Sequence, residues 1–214
     1  MRLKDFAYNL PRELIAQQPM KPRDQSRLLV LDRKTGKMEH RHFYEIVNYL
    51  NKGDVLVLNN TKVMPARLIG KKAGTGGRVE IFLLRENPPN PLYQGGGIWQ
   101  CLVGGKKRKE NLRAEFDLGL KAEIVKNNLD GASASLGSAR DRSLSTGTWQ
   151  VKFNKSGANF MKIVEKIGQV PLPPYIKRQE SKETRKQESK EYQTVYADNA
   201  KVGSVAAPTA GFHF

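Results

Sequence analysis

The chain closes on Ala206-Ala207-Pro208-Thr209-Ala210-Gly211-Phe212-His213-Phe214, a run of small residues that carries one hydroxyl and one imidazole. Small side chains let backbone approach a bound molecule closely. His213 is the residue type that takes and returns protons near neutral pH, and Thr209 supplies a hydroxyl for a substrate oxygen or carboxylate. Pro208, Ala210 and Gly211 would then form the wall beside them. The competing reading is a histidine packed between two phenylalanines. Just upstream, Tyr192-Gln193-Thr194-Val195-Tyr196 adds two rings and an amide.

Three other polar segments stand where the chain must turn. In Pro22-Arg23-Asp24-Gln25-Ser26-Arg27, Arg23 and Arg27 can clamp a carboxylate or phosphate, with Asp24 or Ser26 orienting them. Solvated arginines on a turn explain the same residues. Asn59-Asn60-Thr61 follows an apolar run, Asp54 to Leu58, and leads into Arg67. Ligands of open α/β sheets collect beyond carboxyl strand ends, which suits these amides and this hydroxyl to a ribose or an amino acid. A plain connection between domains is the alternative. Pro171-Leu-Pro-Pro-Tyr-Ile-Lys-Arg178 is stiff, and it would project Tyr175 and Arg178 as a stacking ring and a charged fork, or else serve as a rigid linker.

Composition narrows the partners. In 214 residues, 37 Lys and Arg face 21 Asp and Glu, a formal charge of +16 with pI near 10.0. Such an excess fits a polyanion bound through its phosphates, and equally a generally basic, soluble surface. The cluster Lys106-Lys107-Arg108-Lys109 is its densest point. Hydrophobic residues make up 38% of the chain, enough for a packed core. Cys101 is the single cysteine, which excludes an internal disulfide and suits a reducing, cytoplasmic setting. No apolar run is long enough to span a bilayer, and no histidine or cysteine spacing suits a metal. The sequence has no P-loop, Gly-rich dinucleotide fingerprint or nucleophile elbow.

These residues need a frame. Arg27 to Leu31 reads as a strand, Phe43, Ile46, Val47 and Leu50 keep the spacing of one helical face, and Asp54 to Leu58 reads as a buried strand. From residue 64 to 154 the signals become six short strands: Ala66 to Gly70, Arg78 to Leu84, Ile98 to Val103, Leu112 to Asp117, Leu120 to Val125 and Thr148 to Phe153. That number without a helix implies a small barrel. Phe160, Ile163, Val164 and Ile167 then restore the helical period, with Gly168 placed as a left-handed cap. The expected architecture is an α/β domain, residues 1–63 and 155–214, interrupted by a roughly six-stranded β-barrel at residues 64–154.

Several stretches, in order, carry a specific resemblance. They are LPRELIAQQP (10–19) with RDQSRLLVL (23–31), GDVLVLNNTKVMPARLIGKK (53–72) with GGRVEIFLL (76–84), PLPPYIKR (171–178), and YQTVYA (192–197) followed by GSVAAPTAGFHF (203–214). Together they closely resemble the S-adenosylmethionine:tRNA ribosyltransferase-isomerase family of the queuosine pathway. The resemblance runs from the first residues to the last and is weakest between Asn87 and Gly147.

The resemblance implies the same α/β fold with an inserted barrel. It implies transfer of the ribosyl group of S-adenosylmethionine to 7-aminomethyl-7-deazaguanine at a tRNA wobble position. That group is rearranged to give epoxyqueuosine, with release of adenine and methionine. S-adenosylmethionine is then a consumed substrate, with no permanently bound cofactor and no metal, and the enzyme is expected to be a cytoplasmic monomer. His213 becomes the base at the carbon beside the sulfonium, or the acid that protonates departing adenine, and Thr209 an orienting hydroxyl. Arg23, Arg67 and Arg178 fit the methionine carboxylate or tRNA phosphates, and Asn59, Asn60 and Thr61 the ribose. Tyr175 and Tyr192 fit stacking. Asp24, Ser26, Arg27, Gln193, Tyr196, Pro208, Ala210 and Gly211 complete the expected substrate contacts, and Lys106 to Lys109 would meet tRNA backbone.

Three departures stand out. Family members continue beyond the histidine motif, so a truncated C-terminus is expected here. Phe212 replaces a usual leucine, and the loops near residues 90 and 135 are long. A non-catalytic RNA-binding fragment is therefore the second expectation.

Overall fold

The structure, a computed structural model, describes residues 2–87, 97–128, 147–173, 175–176 and 182–214. The apolar run at Arg27 forms β1 (Arg27–Leu31), which folds back on β2 (Met38–His42) as an antiparallel hairpin. In the connection the Asp32 carboxylate accepts the backbone N–H of Lys34 at 2.7 Å and of Thr35 at 3.0 Å, and Gly36 takes φ 72°.

Phe43–Tyr49 is a 3-10 helix where the spacing predicts an α-helix. Only Phe43 of its apolar side chains is buried, while Val47 lies 66% exposed. The larger correction is Asp54 to Leu58, which takes no strand pairing, with Val55 and Val57 86% and 88% exposed. An apolar β-type run becomes a strand only where a neighbouring edge satisfies its backbone and a surface covers its side chains. Among the described residues neither is present. Asn59 to Thr61 consequently stand at the entrance of β3 (Thr61–Val63) and not beyond a strand end. β3 pairs in parallel with the late strand Asp198–Ser204.

The six expected barrel strands all form. β4 (Arg67–Lys72), β5 (Arg78–Glu86), β6 (Ile98–Gly104), β7 (Arg113–Glu115), β8 (Lys121–Asn128) and β9 (Thr148–Phe153) close in the order β4-β5-β6-β9-β8-β7, antiparallel throughout. Closure leaves no free edge. Alternate residues point inward, so Val79, Ile81 and Leu83 of β5 are fully buried along with Leu68, Cys101 and Val151. Burial pushes the Cys101 thiol well up, and it serves as a small apolar side chain. Arg67 and Glu80 bridge β4 and β5 through two N–H···O contacts of 2.6 and 2.7 Å. The architecture is α/β with an inserted, closed six-stranded barrel.

Helix α1 (Gly157–Ile167) lies against the barrel and enters its core through Phe160 and Val164, both essentially inaccessible. The Phe160 ring sits 4.7 Å from Phe153 and 5.3 Å from Trp99. Gly168 caps α1, but with φ −70° and not the left-handed conformation the sequence suggests. What the position requires is space, since a Cβ there would run into the carbonyl oxygens of Pro65 and Val164. Arg67 and Gln169 then exchange backbone hydrogen bonds of 3.1 and 2.9 Å, tying the helix exit to β4. After α2 (Lys182–Glu191), the chain forms β10 (Asp198–Ser204) and a final 3-10 turn, Thr209–His213.

Candidate functional site

Parallel pairing of β3 with β10 draws two of the polar segments together. Asn59 Oδ1 accepts the Thr61 N–H at 3.0 Å and the Thr61 hydroxyl at 2.8 Å, a local cap that opens β3. The Asn60 carbonyl accepts from Asp198 N–H at 2.9 Å, and its side-chain oxygen accepts from Lys201 at 3.3 Å.

The YQTVY segment locks onto the same strand. Gln193 Oε1 accepts the Val63 N–H at 3.0 Å, and its Nε2 donates to the Val63 carbonyl at 2.8 Å, so one amide imitates a strand neighbour. Arg23 clamps the backbone from the other side, donating to the carbonyls of Gln193 at 2.7 Å and Glu191 at 3.2 Å. Lys21 adds an ion pair to Glu191 at 2.6 Å. Ser26 hydroxyl donates to the Arg23 carbonyl at 2.7 Å and fixes the turn that aims the guanidinium. Asp24 is half-buried on that turn, while Arg27 opens β1 opposite His42 and is exposed.

The terminal run packs onto this assembly through rings. Tyr192 meets Phe212 at 5.2 Å, and Tyr196 meets Phe214 at 5.9 Å. Phe43 meets Phe214 at 4.9 Å and His213 at 5.4 Å. Burial pushes the Tyr192 phenol above its usual range, although a hydrogen bond with the Ala207 backbone works the other way. The aromatic residue at 212 thus fills a contact against Tyr192. His213 is half-buried, and Thr209 and Ala210 are exposed beside half-buried Pro208.

Gly211 is the tight point. A Cβ there would collide with the Tyr196 phenol oxygen and come within 2.8 Å of Thr194 Cγ2. Gly211→Ala is expected to cost about 1–3 kcal/mol, the range for overpacking a filled site. Adding Tyr196→Phe should recover part of that loss in chemical denaturation, because it removes the oxygen that collides. An alanine variant as stable as the parent would contradict this packing.

A cleft of about 420 Å³ opens beside Gln193 and Thr194, with Lys62, Glu165, Lys190 and Asn199 also in its walls. Thr209 and His213 lie outside that lining. Thr194 is 6% exposed, and its hydroxyl has no partner among the described residues. Sequence reading passed over Thr194, Lys62 and Lys190. The first two lie inside motifs it quoted, YQTVY and NNTK, but nothing local distinguishes them from their neighbours.

The remaining expected contacts lie elsewhere. Arg67 belongs to the barrel ion pair with Glu80. Tyr175 is 55% exposed, and its carbonyl accepts from Gln17 Nε2 at 3.1 Å. Arg178 falls outside the described residues. Lys106 to Lys109 occupy the β6–β7 loop, where Lys107 takes φ 52° and Arg108 donates to the Val103 carbonyl at 2.7 Å. Among the described residues no helix is long and apolar enough to cross a membrane, and no three His, Cys, Asp or Glu side chains gather closely enough to hold a metal ion.

Comparison with known proteins agrees with this arrangement of motifs. The family model described as queuosine biosynthesis protein matches residues 3–214. The S-adenosylmethionine:tRNA ribosyltransferase-isomerase of Acetivibrio thermocellus is 44% identical over 216 residues, and that of Clostridium kluyveri is 45% identical over 217. Each alignment takes in 100% of this chain and 54% of the relative, so the chain spans about half the length of these curated relatives. A crystal structure of S-adenosylmethionine tRNA ribosyltransferase from Thermotoga maritima is 38% identical, covering 78% of this chain and 49% of that one, with a TM-score of 0.29. With the match running from the third residue to the last, the chain belongs to the queuosine biosynthesis protein family.

Proposed function

We propose that this chain acts as an S-adenosylmethionine:tRNA ribosyltransferase-isomerase. The reaction moves the ribosyl group of S-adenosylmethionine to 7-aminomethyl-7-deazaguanine in the tRNA wobble position and isomerises it to epoxyqueuosine. Adenine and methionine leave. The observation that carries this reading is the convergence of Arg23, Gln193, Tyr192 and the His213 run on β3, within a chain whose relatives bear that name.

The chemistry needs a base at the carbon next to the sulfonium, and the positive sulfur already acidifies that carbon. His213 is our choice for that base, or for the acid that protonates adenine, with Thr209 beside it on the same turn. The rim of exposed Asn59 and half-buried Asn60 and Thr61 fits ribose hydroxyls. Arg23 and Gln193 shape this wall through their backbone contacts, and Tyr175 and Tyr192 offer rings for the bases. We take residues 1–63 with 155–214 as one unit and 64–154 as the inserted barrel, in a cytoplasmic monomer that uses neither metal nor resident cofactor.

Binding of tRNA without turnover is the second reading, favoured by Thr209 and His213 lying outside the lining of the 420 Å³ cleft. One measurement separates the two. The chain is mixed with S-adenosylmethionine and tRNA carrying 7-aminomethyl-7-deazaguanine, and free adenine is followed by chromatography. Adenine released in proportion to modified tRNA supports the enzyme, while bound tRNA with no adenine supports the second reading. Neither binding nor release would remove both.

A further inference from the structure

The basic loop does not stand alone on the barrel. The turn joining β4 to β5 comes against it, with Lys72 Nζ donating to the Lys106 carbonyl. Between them lies a cleft of about 370 Å³ whose charged walls are Lys72, Arg78, Glu80 and Lys106 and whose floor includes the peptides of Gly104 and Gly105. Gly105 takes φ 119° and has no room for a side chain, since a Cβ there would sit 3.1 Å from the Arg78 carbonyl oxygen.

The charges around this cleft are unbalanced. Lys71 stands opposite Arg78 on β5 and opposite Glu115 on β7, and Glu115 in turn pairs with Lys121 at 3.4 Å. The Glu80 carboxylate is held by Arg67. Among the described residues none of Lys71, Lys72, Arg78, Lys106, Lys107 or Lys109 is in an ion pair. Six cations over two touching turns exceed what a single small anion can neutralise. Neither turn exposes a large apolar side chain of the kind that anchors a protein in lipid, since Leu112 is buried in the barrel core.

We infer that the two-turn cleft between β4–β5 and β6–β7 binds consecutive phosphates of an RNA backbone, with Arg78 and Lys72 acting alongside Lys106 and Lys107. The inference rests on the tRNA reading above and locates the contact on the barrel, adding a second turn to the basic loop.

The test is Arg78→Gln, with Arg78→Lys as the charge-preserving control, against an unmodified tRNA transcript across about 50–200 mM salt. The glutamine variant should bind more weakly, and its slope of log affinity against log salt should shrink by about one. It should keep the parent's melting temperature, so that the weaker binding reads charge and not folding. The lysine variant should resemble the parent in both affinity and slope. An unchanged slope in the glutamine variant overturns the inference. So does a parent chain that binds phosphatidylserine vesicles as tightly as the transcript, or fails to bind the transcript at all. Neither S-adenosylmethionine nor turnover enters the measurement, so a catalytically silent chain leaves it decisive.

Discussion

Replacing His213 with Ala is expected to slow adenine release from S-adenosylmethionine by about 10²- to 10⁴-fold, the span usual for a positioned general acid or base. The residue sits in the terminal 3-10 turn, half-buried, with its ring 5.4 Å from Phe43. Loss of that packing alone would loosen the turn, so a stability effect must be kept apart from a chemical one. His213→Gln keeps a polar side chain of similar length but cannot take up a proton at neutral pH. Both variants should bind tRNA as the parent does. Parental turnover in either variant takes His213 out of the chemistry and leaves it a packing residue.

Phe160→Ala is expected to destabilise the chain by about 3–5 kcal/mol, the usual cost of emptying a buried phenylalanine site. At this chain length that corresponds to a fall of about 6–20 °C in melting temperature. The ring is 1% exposed and packs on both Phe153 and Trp99, so no solvent can fill the hole. The effect should reach the site as well. Helix α1 leads into Gln169, whose backbone bonds hold Arg67, and through Val170 into the small core that contains Val63 and Ala207. Thermal unfolding followed by circular dichroism checks the first part. A loss below about 1 kcal/mol would mean that α1 does not pack into the barrel as described.

How much of this was legible beforehand depends on the range over which each feature is decided. The barrel strands were legible because Arg78 to Glu86 and Thr148 to Phe153 alternate along their own length, and a two-residue period needs no knowledge of the rest of the chain. Helix α1 was legible for the same reason. Asp54 to Leu58 was misread because its residues suit a strand, yet a strand also requires a partner edge. β10 escaped notice because Asp198 to Ser204, mostly exposed, has no apolar alternation and is defined by pairing with β3. Gly168 was marked as a cap from its place after α1, but crowding by Pro65, about a hundred positions away, is what requires a glycine there.

The candidate site divides in the same way. From its residues alone, the sequence determined which chemistry was on offer: an imidazole and a hydroxyl in a small-residue run, a cluster of arginines and lysines, and motifs whose order marks the family. It also determined the barrel, since alternation is a local property. Tertiary structure alone decided that Gln193 stitches itself to Val63, 130 residues away, that Arg23 clamps the backbone of Glu191 and Gln193, and that Lys72 meets Lys106. These pairings rest on which strand lies beside which, and that follows from burying the whole core at once, so no window of sequence contains them.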